Sequence, residues 1–234
     1  MKIQTSCRPG VIYIRPINQK KYMIKAVIFD MDGLMIDSEM LHFKAYQHVL
    51  AKVGIEFAQD GYWQVWGSDK EMCERLVKGY NLRIAPEELL KMKNNFFRTI
   101  LIHNVIPKKG LFSLLEKLKS ANYLLAVASG SQREEIEGIL ANLNISHYFS
   151  TVVSAESVER GKPAPDSFLF AAKKLGIAPD NCLVLEDSPR GVLAAKKAGM
   201  TCFAVPSQKP KKEDFAKADK TLKSLENVWL YLKK

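Results

Sequence analysis

Short apolar runs punctuate the chain at residues 26–29 (Ala-Val-Ile-Phe), 123–128 (Tyr-Leu-Leu-Ala-Val-Ala), 151–153 (Thr-Val-Val), 182–185 (Cys-Leu-Val-Leu) and 201–205 (Thr-Cys-Phe-Ala-Val). Each is too short for a helix, and most are rich in β-prone residues. Their positions are apolar in succession rather than in alternation, the pattern of strands buried on both faces. Between them, residues 111–120, 133–143, 167–175 and 191–198 carry apolar positions at helical spacing. Strand and helix in alternation predict an α/β fold: a Rossmann-like, doubly wound parallel sheet covered by helices on both faces.

One interval breaks this rhythm. Residues 38–105 hold no convincing strand, only helical stretches near 40–52, 69–77 and 86–102, punctuated by Gly54, Gly61, Gly67 and Gly79. A helical cap domain inserted directly after the first strand is the economical reading, and it would sit over the carboxyl ends of the strands, where open α/β sheets bind ligands. The expected organisation is an α/β core from residues 23–37 and 106–234, with the cap at 38–105. Residues 1–22, with Pro9, Gly10, Pro16 and several basic residues, read as an extension of uncertain order, and Met23 offers an alternative start.

Composition narrows the class. At 234 residues and 47 % hydrophobic, the chain can bury a sizeable core, and no low-complexity tract or repeat interrupts it. The formal net charge of +10 favours anionic ligands by long-range steering. The same charge also suits nucleic acid, but the clusters at Lys209 to Lys212 and Lys217 to Lys223 lie among Asp and Glu and read as a solvated face. No specific nucleic-acid partner is therefore expected. Cys7, Cys73, Cys182 and Cys202 lack metal-site spacing, which argues for reduced thiols, with Cys182 and Cys202 as core residues within strands. No run reaches the roughly 20 residues of a membrane span, and the first 21 residues lack a secretory apolar stretch, so a cytoplasmic protein is expected.

The chemistry concentrates at strand ends. Asp30-Met31-Asp32-Gly33 follows the first run immediately, so two carboxylates arrive at its carboxyl end two residues apart, while Gly33 allows a sharp turn. Two such charges about 4 Å apart in a partly dry site repel by about 4 kcal/mol, which a divalent cation would reverse. Glu186-Asp187 closes another strand and would emerge at the same edge. Acids after a strand also cap helices, as Asp187-Ser188-Pro189 could. Both pairs together, with no His or Cys among them, better suit an oxygen-only magnesium site.

Two further features could receive an anion. Ser129-Gly130-Ser131 ends the second strand and opens a helix, offering a hydroxyl and backbone amides, although the tripeptide is also a common turn. In Gly161-Lys162-Pro163-Ala164-Pro165-Asp166 the prolines fix an extended loop that could hold Lys162 over a phosphate; the bland alternative is a solvated lysine.

With these residues in order, from about Ile24 to the C-terminus, the chain resembles the haloacid dehalogenase superfamily. Its closest resemblance there is to the branch of β-phosphoglucomutases and sugar-phosphate phosphatases. The resemblance implies a phosphatase for a small phosphorylated metabolite, magnesium as cofactor, and a monomer by default. It implies Asp30 as the nucleophile that becomes an aspartyl phosphate, and Asp32 as the acid and then base. It further implies magnesium held by Asp30, the backbone carbonyl of Asp32 and Asp187, with Glu186 directly or through water, and phosphoryl oxygens bound by Ser129, Gly130 and Lys162. A dehalogenase needs no magnesium acids, and a non-catalytic binder would be expected to lack an acid that this chain keeps.

The acceptor, water or a sugar hydroxyl, separates phosphatase from phosphomutase. His42 matches a histidine that the mutases use to couple cap closure to Asp32, Lys93 resembles their cap lysine, and Gly67 falls in their substrate loop. Trp66 and Lys70, however, stand where that loop carries a basic residue and an arginine, and Gln132-Arg133 replaces a Lys-Asn pair. A lysine cannot reproduce the planar two-point grip of a guanidinium on phosphate, so the balance favours a phosphatase.

Overall fold

The run Ala26–Phe29 forms strand β1 in the computed structural model, which describes residues 23–65, 69–101, 104–206 and 215–232. Strands β2 (Leu124–Ala128), β3 (Thr151–Val153), β4 (Cys182–Glu186), β5 (Thr201–Ala204) and β6 (Lys220–Thr221) join it in one sheet, in the order β3-β2-β1-β4-β5-β6. Every pairing is parallel. The expected doubly wound sheet is thus present, with a short sixth strand that the apolar pattern did not announce because both of its residues are exposed.

Successive residues of each strand feed two separate cores, the period of two that a sheet imposes. Val27, Phe29, Leu125, Val127, Leu183 and Leu185 point into one cluster, shared with Leu111, Leu114, Leu115 and Leu118 and with Ile136 and Ile139. Those residues lie on helices α5 (Leu111–Ser120) and α6 (Arg133–Asn142), and a 3-10 segment at Leu225–Tyr231 closes the same face. Ala26, Ile28, Ala126, Ala128, Val184 and Cys202 point the other way, against helices α7 (Asp166–Leu175) and α8 (Pro189–Lys197). The alanines let those helices lie close to the sheet. Cys182 and Cys202 are buried free thiols, as expected of core residues.

Between β1 and α5 run four helices: α1 (Glu39–Ala51), α2 (Gln59–Val65), α3 (Asp69–Gly79) and α4 (Pro86–Leu101). Phe43, Tyr46 and Leu50 of α1, spaced by three and four, meet Phe57, Tyr62, Met72, Leu76 and Leu89 in a third apolar cluster. The expectation of helices alone in this interval holds for its described residues. Helix α2 was not anticipated; its seven residues bury only Tyr62, too little for a periodic signal. Leu41, Ala45, Phe97 and Leu101 turn the other way and join the cluster under the sheet, so the insertion is anchored by apolar contact. An ion pair between Arg98 and Glu135 at 2.6 Å, from α4 to α6, spans the same junction.

Candidate active site

In the strand order, β1 connects outward to β2 and β3, and the chain then returns to the other side of β1 for β4. The reversal places a crevice beyond the carboxyl ends of β1 and β4, the position at which doubly wound sheets bind ligands. Phe29 is in register with Leu185, so Asp30 and Glu186 leave adjacent strands side by side. The Asp30 amide donates to the Leu185 carbonyl at 3.0 Å, which fixes the turn where the first acid sits.

Lys162 reaches this crevice from its loop before α7. Its ammonium donates to Asp30 Oδ1 and, at 2.6 Å, to Glu186 Oε1. One cation thus faces several acids. Burial pushes the Asp30 carboxyl up to about 8, with Lys162 opposing and the charges of Glu186 and Asp32 adding. Burial also works against the Lys162 ammonium, but Asp30 and Glu186 overcome it and hold that group charged above its ordinary range.

Asp30, Glu186 and Asp187 each present a carboxylate oxygen such that the three atoms lie within 4.8 Å of one another. Two close approaches shape this triad. Gly33 has φ +79°, and a Cβ there would lie 2.0 Å from Asp187 Oδ2. A Cβ on Gly191 would lie 1.7 Å from Glu186 Oε1. Glycine at both positions is what lets two carboxylates pack onto backbone. Glu186 is fully buried, and its Oε2 accepts from the amide and the hydroxyl of Ser188, both at 2.9 Å. Ser188 is also the N-cap of α8, its hydroxyl accepting from the Gly191 amide at 3.1 Å. The helix-capping reading of this segment is therefore correct for Ser188, while the acids before it turn into the crevice. An all-oxygen donor set carrying excess negative charge fits magnesium.

Asp32 lies beside this triad. Its Oδ2 accepts from Ser131 Oγ at 2.8 Å and from Ser129 Oγ at 3.4 Å, while Oδ1 is buried with no protein partner. A buried oxygen without a partner is costly, and a substrate oxygen arriving here would satisfy it. Ser129 is buried at the end of β2, and its hydroxyl accepts from the Ser131 amide at 3.0 Å, so that amide is already engaged rather than open to an anion. Gly130 is exposed beside it.

The insertion contributes His42 from α1. Its ring stacks on Phe97 at 4.1 Å between centroids, and Nδ1 is buried without a partner. Burial first, then the charge of Lys93, lowers His42 to about 4, against the pull of Asp69 and Asp32. Lys93 has no exposed surface; its ammonium donates to Asp69 Oδ2 at 2.7 Å and to Asn94 Oδ1 at 3.2 Å, over the ring of Phe97. Lys70 is exposed on α3. Trp66 and Gly67 lie outside the described residues.

Several contacts of the site left no signal in the sequence. Ser131 orients Asp32, and Arg190 donates to the Lys162 carbonyl at 2.8 Å while Lys197 donates to that of Pro163 at 3.1 Å, tying the loop to α8. Asp69 is the partner of Lys93. Contacts between a side chain and a distant backbone or residue leave no trace in spacing along the chain.

An acid-rich crevice at the switch point of a doubly wound sheet, with a half-buried lysine among the acids, defines a phosphoryl-transfer type of site. Comparison with known families is specific: the model for the haloacid dehalogenase-like hydrolases matches residues 27–205. The chain belongs to that family and is an enzyme of its phosphatase kind. It is 34 % identical over 182 residues to the fructose-1-phosphate phosphatase YqaB of Escherichia coli K12, covering 76 % of this chain and 95 % of that one. It is 32 % identical over 196 residues to the β-phosphoglucomutase of Bacillus subtilis, covering 80 % and 85 %. Among solved structures, CbbY from Rhodobacter sphaeroides in complex with phosphate superposes with a TM-score of 0.74 at 26 % identity, over 88 % of this chain and 96 % of the other.

Proposed function

We propose that this chain is a magnesium-dependent phosphatase that hydrolyses a small phosphate ester, a sugar phosphate by class, through an aspartyl phosphate on Asp30. The observation that carries the reading is the gathering of Asp30, Glu186 and Asp187 around a crevice whose built-in cation is Lys162. Residues 38–105 act as the cap, with residues 23–37 and 106–234 as the core.

Asp30 attacks phosphorus, and the bond from phosphorus to the ester oxygen breaks. Asp32, held by Ser129 and Ser131, gives its proton to the leaving oxygen. It then takes a proton from water, whose oxygen attacks phosphorus and releases Asp30 and inorganic phosphate. Lys162 and Ser129 stabilise the charge on the transferring group. Magnesium, held by Asp30, Glu186 and Asp187 with the Asp32 carbonyl, would supply the positive charge that lets an anionic nucleophile approach a phosphate.

A phosphomutase is the second reading, favoured by the similarity to the Bacillus enzyme and by His42 at the insertion's inner face. Lys93 weighs against it, being buried and already paired. The test is hydrolysis of p-nitrophenyl phosphate: activity with magnesium, none under EDTA, and none for Asp30→Asn. Interconversion of β-glucose 1-phosphate and glucose 6-phosphate, primed by a bisphosphate, would favour the mutase instead.

A further inference from the structure

Ser131 is not free to act as an open anion-binding turn. Its hydroxyl carries a single hydrogen, which it donates to Asp32 Oδ2 at 2.8 Å. The residue is fixed along its backbone. Its amide donates to Ser129 Oγ at 3.0 Å, and its carbonyl accepts from the Ala155 amide at 3.0 Å. The next residue, Gln132, is the N-cap of α6, its amide donating to Glu135 Oε2 at 3.1 Å. A serine has one side-chain torsion to set, so a backbone held in this way aims the hydroxyl at a fixed place. Ser129 also points at Asp32 Oδ2, but at 3.4 Å, and its hydroxyl is the one assigned above to the transferring group. Asp32 Oδ1 is buried with no protein partner. The two oxygens of this carboxyl are therefore unlike: one is held, and the other is left for the ligand.

We propose that Ser131 is a positioning residue that assigns the proton transfer to Asp32 Oδ1, by holding Oδ2 and keeping Oδ1 turned toward the ester oxygen. The proposal deepens the phosphatase reading and rests on it. As the bond between phosphorus and the ester oxygen breaks, its electron pair passes to that oxygen, which takes the proton from Oδ1. Asp32 is left as a carboxylate whose Oδ2 still accepts from Ser131, so the charge that appears there meets a hydrogen bond already in place. In the second half of the reaction Oδ1 takes a proton back from the attacking water. Ser131 itself touches neither phosphorus nor the ester oxygen. Its effect therefore scales with how much the leaving oxygen needs a proton: a sugar alkoxide needs one, whereas p-nitrophenolate departs without it.

The test compares kcat/KM, with magnesium present, for esters that share the phosphoryl group and differ in the leaving group. The probes are p-nitrophenyl phosphate on one side and glucose 6-phosphate, fructose 1-phosphate and glycerol 1-phosphate on the other. Ser131→Ala should lower kcat/KM for the alkyl esters by about tenfold or more and for p-nitrophenyl phosphate by less than about twofold. In an Asp32→Asn background, Ser131→Ala should change kcat/KM by less than about twofold for every ester, because no proton is left to aim. A serine that bound the phosphoryl group, or merely shaped the loop, would lower both classes of ester alike and would do so again in the Asp32→Asn background. Either result would overturn the proposal. So would a parent that hydrolyses p-nitrophenyl phosphate but none of the three alkyl esters, since an acid so held would serve no leaving group. A parent inactive on p-nitrophenyl phosphate would remove the phosphatase reading itself, an outcome told apart because it shows before any residue is changed.

Discussion

Two glycines govern the carboxylates more tightly than any charged neighbour does. Gly191 lies directly beneath the Glu186 carboxyl, where an added methyl would overlap it at 1.7 Å. Glu186 is fully buried and already bonded on both oxygens, so it has nowhere to retreat without breaking a contact to Lys162 or Ser188. Gly191→Ala should therefore raise the magnesium concentration needed for half-maximal phosphatase activity by about tenfold or more. It should also lower stability by about 1–3 kcal/mol through overpacking, read by urea titration. Gly79→Ala, in open space at the end of α3, is the control: it should leave the magnesium requirement unchanged and should not lower stability, adding up to about 1 kcal/mol. His42 offers a second test at this scale. Its folded value of about 4 lies below its ordinary 6.5, so the unfolded chain takes up a proton first as pH falls. The neutral ring's contribution is fully present above about pH 6.5 and is lost as pH falls toward 4, in total up to about 3 kcal/mol. Asp30, pushed up to about 8 by burial, also titrates as pH falls, so the reading is the difference between parent and His42→Leu. The parent's extra fall in stability between pH 6.5 and 4 should vanish in the variant, and an identical pH profile for both would refute the buried neutral imidazole.

At the scale of elements, what could be read in advance follows from how much each element buries. Strands β1, β2, β4 and β5 lie in the sheet interior, and β3, at one edge, still packs Val153 and half-buried Val152 against the two cores, so their runs were largely apolar, and their bounds moved by no more than a residue in the structure. Strand β6 is two exposed residues completing a sheet edge, and α2 buries one tyrosine; neither leaves a hydrophobic pattern to read. The same logic applies to the site. Asp30, Asp32, Glu186 and Asp187 follow strands that were legible, so their convergence could be foreseen from parallel topology alone. Ser131, Asp69 and Arg190 act across the fold, and only coordinates bring them to their partners. The Arg98 to Glu135 pair is of this second kind, joining α4 to α6 with Arg98 41 % exposed. Exposed pairs contribute little to stability, so Arg98→Met should change unfolding free energy by less than about 1 kcal/mol. Its position across the junction gives it leverage on closure instead. We expect KM for a sugar phosphate to rise about two- to threefold with kcat nearly unchanged, and a variant with unaltered KM would remove the junction pair from the binding step.

For the molecule as a whole, charge is concentrated at the carboxyl ends of β1 and β4. Asp30, Glu186 and Asp187 gather beside one ammonium, which pairs with Asp30 and Glu186, so the folded state crowds Asp30 against acids that the extended chain holds far from it in water. A divalent cation relieves that repulsion only in the folded state, and linkage converts the difference into stability. At about a hundredfold excess of magnesium over its dissociation constant the gain is about 2.7 kcal/mol. In a chain of 234 residues this corresponds to a rise in Tm of roughly 5–10 °C. Calcium, which also takes oxygen ligands, should stabilise as well, whereas raising sodium chloride to the same ionic strength should not, because screening acts weakly on a buried cluster. Asp187→Asn removes one of the three ligands and should abolish most of the magnesium shift. That loss is the discriminating outcome. A carboxylate serving only to cap α8 would leave the magnesium shift intact.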